Sequence, residues 1–289
     1  MSYWVAVVAK DAEEHLRSTL ESLLIQTLAP RRVIVVDDGS KDATPRILSD
    51  FTRKQPRSVR VVSLPDRGYD IRRVPANINR AWKTAVDDGL KTNYFMISGD
   101  DCIYPSDYTR TVIAKMVRER MTVVASGHPS SGGRLSEEHS PSGSGRMVKS
   151  SFWVEIGERY PLKAGWETWL LYKAQEKGHA VKMLSEVTFQ HVRPRGAMHQ
   201  LTYWGAAMCG LGYHPLYAFG RIGKNVGTRT TSIRGSANML RGYTQAWLGS
   251  ADPFISPYDS SLRKFVRNNQ ARSIVRAASL LLRLQPITL

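Results

Sequence analysis

The sequence predicts an α/β fold: a mainly parallel sheet flanked by helices, followed by a C-terminal helical extension. Two observations carry this expectation. Short β-branched apolar runs alternate with amphipathic helical stretches over the first hundred residues, the pattern of βαβ units. Beyond residue 201 the strand alternation stops, and the pattern turns helical and rich in aromatics and arginine. A chain of 289 residues, 42% hydrophobic and 23% charged, holds enough apolar side chains for one large or two small cores. The expected division is a sheet domain over 1–198 and a basic, aromatic helical region over 199–289.

The elements follow in order. Residues 3–9 form an apolar run of strand type. Asp11, with Glu14 three residues on, resembles a capping box ahead of a stripe of Leu16, Leu20, Leu23 and Leu24, and Pro30 is expected to break that helix. Residues 33–36 read as a strand buried on both faces. A helix over 44–53 and a strand over 59–63 follow, then a helix over 76–88 with Trp82, Ala85 and Val86 inward and Gly89 at its C-terminal end. Residues 94–98 make a fourth strand, completing a Rossmann-like layer. Twelve of the twenty residues 126–145 are Ser or Gly, which predicts a long loop, either a lid or disordered. A helix over 166–177, closed by Gly178, and an extended run over 181–189 complete the first domain.

Charge is uneven. Thirteen Lys and Arg face two acids, Asp252 and Asp259, between Gln190 and Leu289, so this third carries +11 of the net +16. That favours an anionic partner or a solubilising surface. Two cysteines exclude a disulfide scaffold and a multi-cysteine zinc site. The apolar stretch 1–9 is too short for a signal peptide, and no run approaches the roughly 18 apolar residues that span a bilayer. The expected location is cytoplasmic, peripheral on the cytoplasmic face of the membrane.

Ligands of parallel sheets bind outside the carboxyl ends of the strands, and two predicted strands end in paired acids: Asp37-Asp38-Gly39-Ser40 and Gly99-Asp100-Asp101. Close carboxylates repel, and burial adds several kcal/mol; they call for a cation, a donor-rich ligand or water. Turn formation and helix capping by Asp37 and Asp38 is the competing explanation.

The run Val33-Ile34-Val35-Val36-Asp37-Asp38-Gly39-Ser40-Lys41-Asp42-Ala43-Thr44 resembles the Val-Asp-Asp-Gly-Ser-x-Asp-x-Thr element of family 2 glycosyltransferases. Val7 to Glu14 sits where that family has a Pro-x-Tyr-Asn-Glu type segment, and Met96 to Pro105 resembles its Asp-x-Asp segment, with Ser98 in place of the usual first Asp. The resemblance covers residues 3–192. It implies a GT-A fold and transfer of a sugar from a nucleotide-diphosphate sugar, UDP ahead of GDP, to a hydroxyl acceptor on a glycan or a lipid-linked precursor. It also implies Mn²⁺ or Mg²⁺ on Asp101, with Asp100 sharing the metal or the ribose and His191 as a third ligand. Asp37 or Asp38 would accept from base or ribose, Ala9 and Lys10 line the nucleotide, and Arg67, Arg72 and Arg73 approach it. Glu167 is the base candidate for inverting transfer, with Thr168 where the family usually has Asp.

Residues 262–284 alternate apolar and basic side chains, the pattern of a helix that lies on an anionic membrane surface, or packs on the core or a second copy in a homodimer. Two other functions compete: a retaining transferase without a base, and a non-catalytic or nucleic-acid-binding protein on the same fold. The sequence carries no nucleic-acid motif, and Lys10-Asp11 after Ala9 departs from the Gly-rich loop of nucleotidyltransferases.

Overall fold

The computed structural model describes residues 1–131, 134–135, 140–193, 201–228 and 231–283. The chain divides into two compact units, 1–162 with 177–198, and 163–176 with 199–289.

The first unit is built on a mixed sheet of nine strands. Its first half is parallel: β1 (Tyr3–Ala9) lies between β2 (Val33–Asp37) and β4 (Tyr94–Ser98), and β3 (Val59–Ser63) flanks β2. The second half is mixed. β8 (Arg146–Lys149) runs antiparallel between β4 and β6 (Thr122–Ser131), β9 (Ala180–His191) runs parallel to β6, and the two-residue β5 (Cys102–Ile103) pairs antiparallel with the end of β9. A short β7 (Arg134–Leu135) pairs with β6.

Successive strand residues face opposite sides, so β1 feeds two cores. Tyr3, Val5 and Val7 join α1 (Leu16–Leu24), α2 (Thr44–Lys54) and α4 (Tyr108–Arg118) through Leu20, Phe51 and Met116. Trp4 turns the other way, toward α3 (Val74–Asp87) and α5 (Ser150–Glu155), where Trp4, Trp82, Phe95, Trp153 and Tyr160 form a chain of ring contacts 4.9–5.9 Å apart. Edge-to-face pairs of this kind add about 0.5–1.5 kcal/mol each beyond burial.

Four expectations are corrected. Asp11 and Glu14 form no capping box: Asp11 sits at φ +47 and its Oδ1 accepts from the Lys41 N–H at 2.7 Å, while α1 starts at Leu16 with no side-chain cap. That helix ends at Leu24, six residues before Pro30, so proline is not what stops it. Val86 is exposed, and the inward stripe of α3 is Pro75, Asn77, Ile78, Ala81 and Ala85, with Trp82 half-buried. Much of the Ser/Gly-rich segment is strand: Ser126, Gly127, Ser130 and Ser131 lie in β6, where the ladder with β9 satisfies the backbone whatever the side chains. Positions 132–133 and 136–139 of that segment lie outside the described residues.

The second unit is helical: α6 (Trp166–Glu176), α7 (Leu201–Gly210), α8 (Pro215–Gly227), α9 (Ile233–Leu248) and α10 (Ser260–Arg283). The helix α6, read from the sequence as part of the first domain, groups here. Reciprocal glycines bring α7 and α9 together: a Cβ on Gly205 would fall 1.7 Å from the Met239 carbonyl oxygen, and one on Gly242 1.8 Å from that of Thr202. Only glycine permits such backbone approach. On α10, Leu262, Val266 and Gln270 are buried at helical spacing. Of the basic and aromatic C-terminal third, residues 194–200, 229–230 and 284–289 lie outside the described residues, as do the side chains of 276–283.

Candidate active site

The carboxyl ends of β1, β2 and β4 lie side by side, because Ala9 is in register with Asp37 and Val7 with Ser98. The apolar runs are consumed inside the sheet, so the first polar residues after them, Lys10, Asp38 and Gly99 to Asp101, emerge along one edge.

At the end of β2 the two acids do different work. Asp37 Oδ1 accepts from the Ser40 N–H at 3.0 Å and the Ser40 hydroxyl at 2.6 Å, holding the turn. Asp38 N donates to the Ala9 carbonyl at 2.9 Å, and the Asp38 carboxylate receives the fork of Arg73, Nε at 3.0 Å and Nη2 at 2.8 Å from Oδ2. Arg73 also reaches the carbonyls of Arg67 and Gly68. Gly39 is required here: at φ +75, a Cβ would meet the Asp66 Cα at 2.4 Å. The loop carrying Asp66 is tied down by Lys10 Nζ, 2.6 Å from Asp66 Oδ1 and 2.5 Å from the Gly39 carbonyl, and by Lys41 Nζ, 2.7 Å from Oδ2. Hydrogen bonds from Lys10 and Lys41 hold the Asp66 carboxyl far below the usual range. Arg72 forks onto Asp70 at 2.9 and 3.0 Å, and Arg67 is exposed.

At the end of β4, Ser98 is buried and hydrogen-bonds the Tyr104 hydroxyl at 2.9 Å and the Gly99 carbonyl at 2.8 Å. The residue that replaces the family's first Asp thus faces inward. The buried Thr19 hydroxyl clamps the next turn, donating to the Asp100 carbonyl at 2.9 Å and accepting from the Cys102 N–H at 3.1 Å. Burial pushes the Asp100 carboxyl up to about 6; the charge of Asp101 adds to this, and Arg193 Nη2, 3.9 Å from Asp100 Oδ1, opposes it.

Pairing of β5 with β9 sets Cys102 opposite His191, and Val192 N donates to the Asp101 carbonyl at 2.9 Å. His191 Nδ1 is 3.6 Å from Asp101 Oδ1. Burial alone would raise the Asp101 carboxyl, but the His191 contact, with Arg193, brings it below the usual range. Asp101, Cys102 and His191 present ligand atoms all within 4.8 Å of one another. Burial, with the Asp101 charge, pushes the Cys102 thiol up. The carboxylate and imidazole beside it suit a hard or borderline divalent cation, Mg²⁺ or Mn²⁺. Gly99 protects this geometry, since a Cβ there would lie 2.8 Å from Asp101 Oδ1.

The first unit thus brings together Ala9, Lys10, Asp37, Asp38 and Arg73 at one end of the edge, and Asp100, Asp101 and His191 at the other, with the Lys10 N–H 3.4 Å from Asp100 Oδ2 linking them. Glu167 is an exposed first-turn residue of α6, in the second unit. Sequence reasoning counted Arg193 only as charge and passed over Thr19. The spacing His191-Val192-Arg193 was the available signal: alternate residues leaving a strand face the same way.

The profile of the family described as Glycosyl transferase family 2 matches residues 4–175. No curated protein matches the chain in sequence. The fold is similar to that of S. aureus TarS 1–349 in complex with UDP-GlcNAc, with a TM-score of 0.54 and 18% identity, over 72% of this chain and 64% of that one. It is also similar to the mannosyltransferase PcManGT from Pyrobaculum calidifontis in complex with GDP-Man and Mn²⁺, with a TM-score of 0.54 and 15% identity, over 98% and 81% of the two chains. The match to the longer TarS structure spans only 38% of that chain. At such identity these likenesses show the fold, a GT-A-type α/β layer with flanking helices.

Proposed function

The chain belongs to glycosyl transferase family 2, and we propose that it transfers a sugar from a nucleotide-diphosphate sugar, UDP-linked ahead of GDP-linked, to a hydroxyl acceptor with inversion. The observation that carries the reading is the meeting of Asp101 and His191, ninety residues apart in sequence and 3.6 Å apart in space, beside Asp100 on the carboxyl edge. Asp101 and His191 would hold Mn²⁺ or Mg²⁺. A bound divalent cation supplies neutralisation of the charge that develops on the departing diphosphate.

The chain's own residues divide the remaining work. Asp38, held by the Arg73 fork, presents a fixed acceptor for a base or ribose donor, and a carboxylate pinned in this way loses little freedom on binding. Arg193 flanks Asp100 and brings positive charge toward the diphosphate, while Lys10 meets Asp100 through its backbone N–H and keeps its ammonium on Asp66. Glu167, in the first turn of α6, is the proposed general base, taking the acceptor hydroxyl proton at its carboxylate oxygen. UDP is placed ahead of GDP because solved structures of similar fold hold UDP-GlcNAc and UDP, beside one that holds GDP-Man.

A thermal-shift panel of UDP, GDP, TDP and their sugars, with and without Mn²⁺, on wild type and Asp101→Ala tests the reading. A metal-dependent rise with one nucleotide, lost in the variant, supports it and names the donor class. No rise with any nucleotide sinks it.

A further inference from the structure

Helices α8 and α9 each carry an apolar band on their exposed side. On α9, Gly235, Met239, Gly242 and Tyr243 are buried, and Gly235 and Gly242 meet α7. On the other side Ile233, Leu240 and Trp247 recur every seventh residue, followed by Leu248; Ile233 is 79%, Trp247 72% and Leu248 76% exposed. At 3.6 residues per turn these four fall within about 100° of arc. Arg241 and Arg234, both exposed, come next along one edge. The helix α8 repeats the arrangement: Leu216, Phe219 and Val226 are exposed on one side, with Lys224 and then Arg221 next around the helix. The Phe219 ring lies 5.9 Å from that of Tyr243, which borders the opposite edge of the α9 band, so the two bands adjoin.

The packing of α8 adds an independent observation. Ala218 is its one buried residue, and Gly220, Gly223 and Gly227 have nothing within 4 Å of where a Cβ would stand. Short helices in water depend on burying an apolar face, and interior glycines weaken them. Here that face is turned outward.

Charge selects what covers it. No Asp or Glu occurs between Glu186 and Asp252. Asp252 and Asp259 both cap helical turns, accepting from the N–H groups of Phe254 and Leu262 at 2.9 Å. Single exposed apolar residues need no explanation, but an apolar band with a basic edge on two successive helices is the pattern of interfacial helices. We propose that α8 and α9 dock on an anionic lipid surface. Ile233, Leu240, Trp247, Leu216 and Phe219 enter the boundary between headgroups and acyl chains, and Arg221, Lys224, Arg234 and Arg241 meet the phosphates. A second copy of the same face would bring like charges together, and a nucleic-acid backbone would leave the aliphatic band in water. On α10 the described Leu262 and Val266 turn inward, so the proposal stands on α8 and α9. Among the described residues no helix is long and apolar enough to cross a membrane.

The test sediments the full chain with vesicles of phosphatidylcholine alone and with added phosphatidylglycerol, at low and high salt. Wild type is expected to pellet with the anionic vesicles only, and less as salt rises. Trp247→Ser with Leu248→Ser should lower partitioning on the order of tenfold or more, and Arg234→Gln with Arg241→Gln about 25-fold at low salt. Circular dichroism and melting confirm that these exposed variants fold. The proposal is overturned by failure to pellet, by equal pelleting with both vesicles, or by full binding of the Trp247/Leu248 variant. A concentration-dependent dimer lost in that variant, or retention on DNA or RNA lost only in the arginine variant, would assign the face to another partner and overturn it as well.

Discussion

The two units handle charge in opposite ways. In the first, the site's cations meet acids: Lys10 and Lys41 converge on Asp66, Arg73 forks onto Asp38, and Arg193 approaches Asp100. In the second, Lys173 pairs with Glu176 on α6, but residues 199–289 hold only two acids, and both cap backbone N–H groups. Internal pairing fixes side chains at a carboxyl edge where a small ligand must find them already placed. Positive charge left without acid neighbours acts outward, on something large and anionic.

The largest effect is expected at the proposed base. Glu167→Gln should lower turnover by about 10²–10⁴-fold while nucleotide-dependent stabilisation persists, as removal of a base does. Loss of nucleotide binding in steady-state and thermal-shift measurements would make Glu167 a donor-site residue instead. Next comes packing. Gly242→Ala places a methyl group on the Thr202 carbonyl and should cost about 3 kcal/mol in urea unfolding. An unchanged midpoint would mean that α7 and α9 separate freely.

A smaller effect is expected at the paired edge. Arg73→Lys keeps the charge but removes the fork onto Asp38, and should cost about 1 kcal/mol of stability or nucleotide affinity. An isoenergetic variant would show that charge alone suffices. The smallest effect depends on pH. Asp66 is depressed by Lys10 and Lys41, and Lys41 is raised chiefly by its hydrogen bond to Asp66. A depressed acid stabilises the fold above its unfolded pKa and loses that contribution as pH falls through the folded value. The gap between wild type and Asp66→Asn in chemical unfolding should therefore hold from neutral pH down to about 5 and close below about 4. A gap that widens in acid would contradict the assignment.

Much of the carboxyl edge was legible in the chain, because a buried strand admits few polar residues and the first acids after it mark where it leaves the sheet: Asp37 after Val36, Asp100 soon after Ile97. Register between neighbours then follows from parallel βαβ geometry. Other features were settled only at long range. Asp11 and Glu14 have capping-box spacing, yet Asp11 finds its partner at Lys41 across a turn. Ser126 to Ser131 have loop composition, yet the β9 ladder makes them strand.

Local pattern alone determined the parallel half of the sheet, the turns at Gly39 and Gly89, and the basic imbalance of the C-terminal third, since these depend on side-chain period, backbone sterics and composition. Tertiary structure decided that His191 meets Asp101, that Ser98 turns inward to Tyr104, that α6 groups with the second unit, and which face of α9 stays outside. Each of those depends on which distant backbone pairs or packs, and no window of neighbouring residues carries that information.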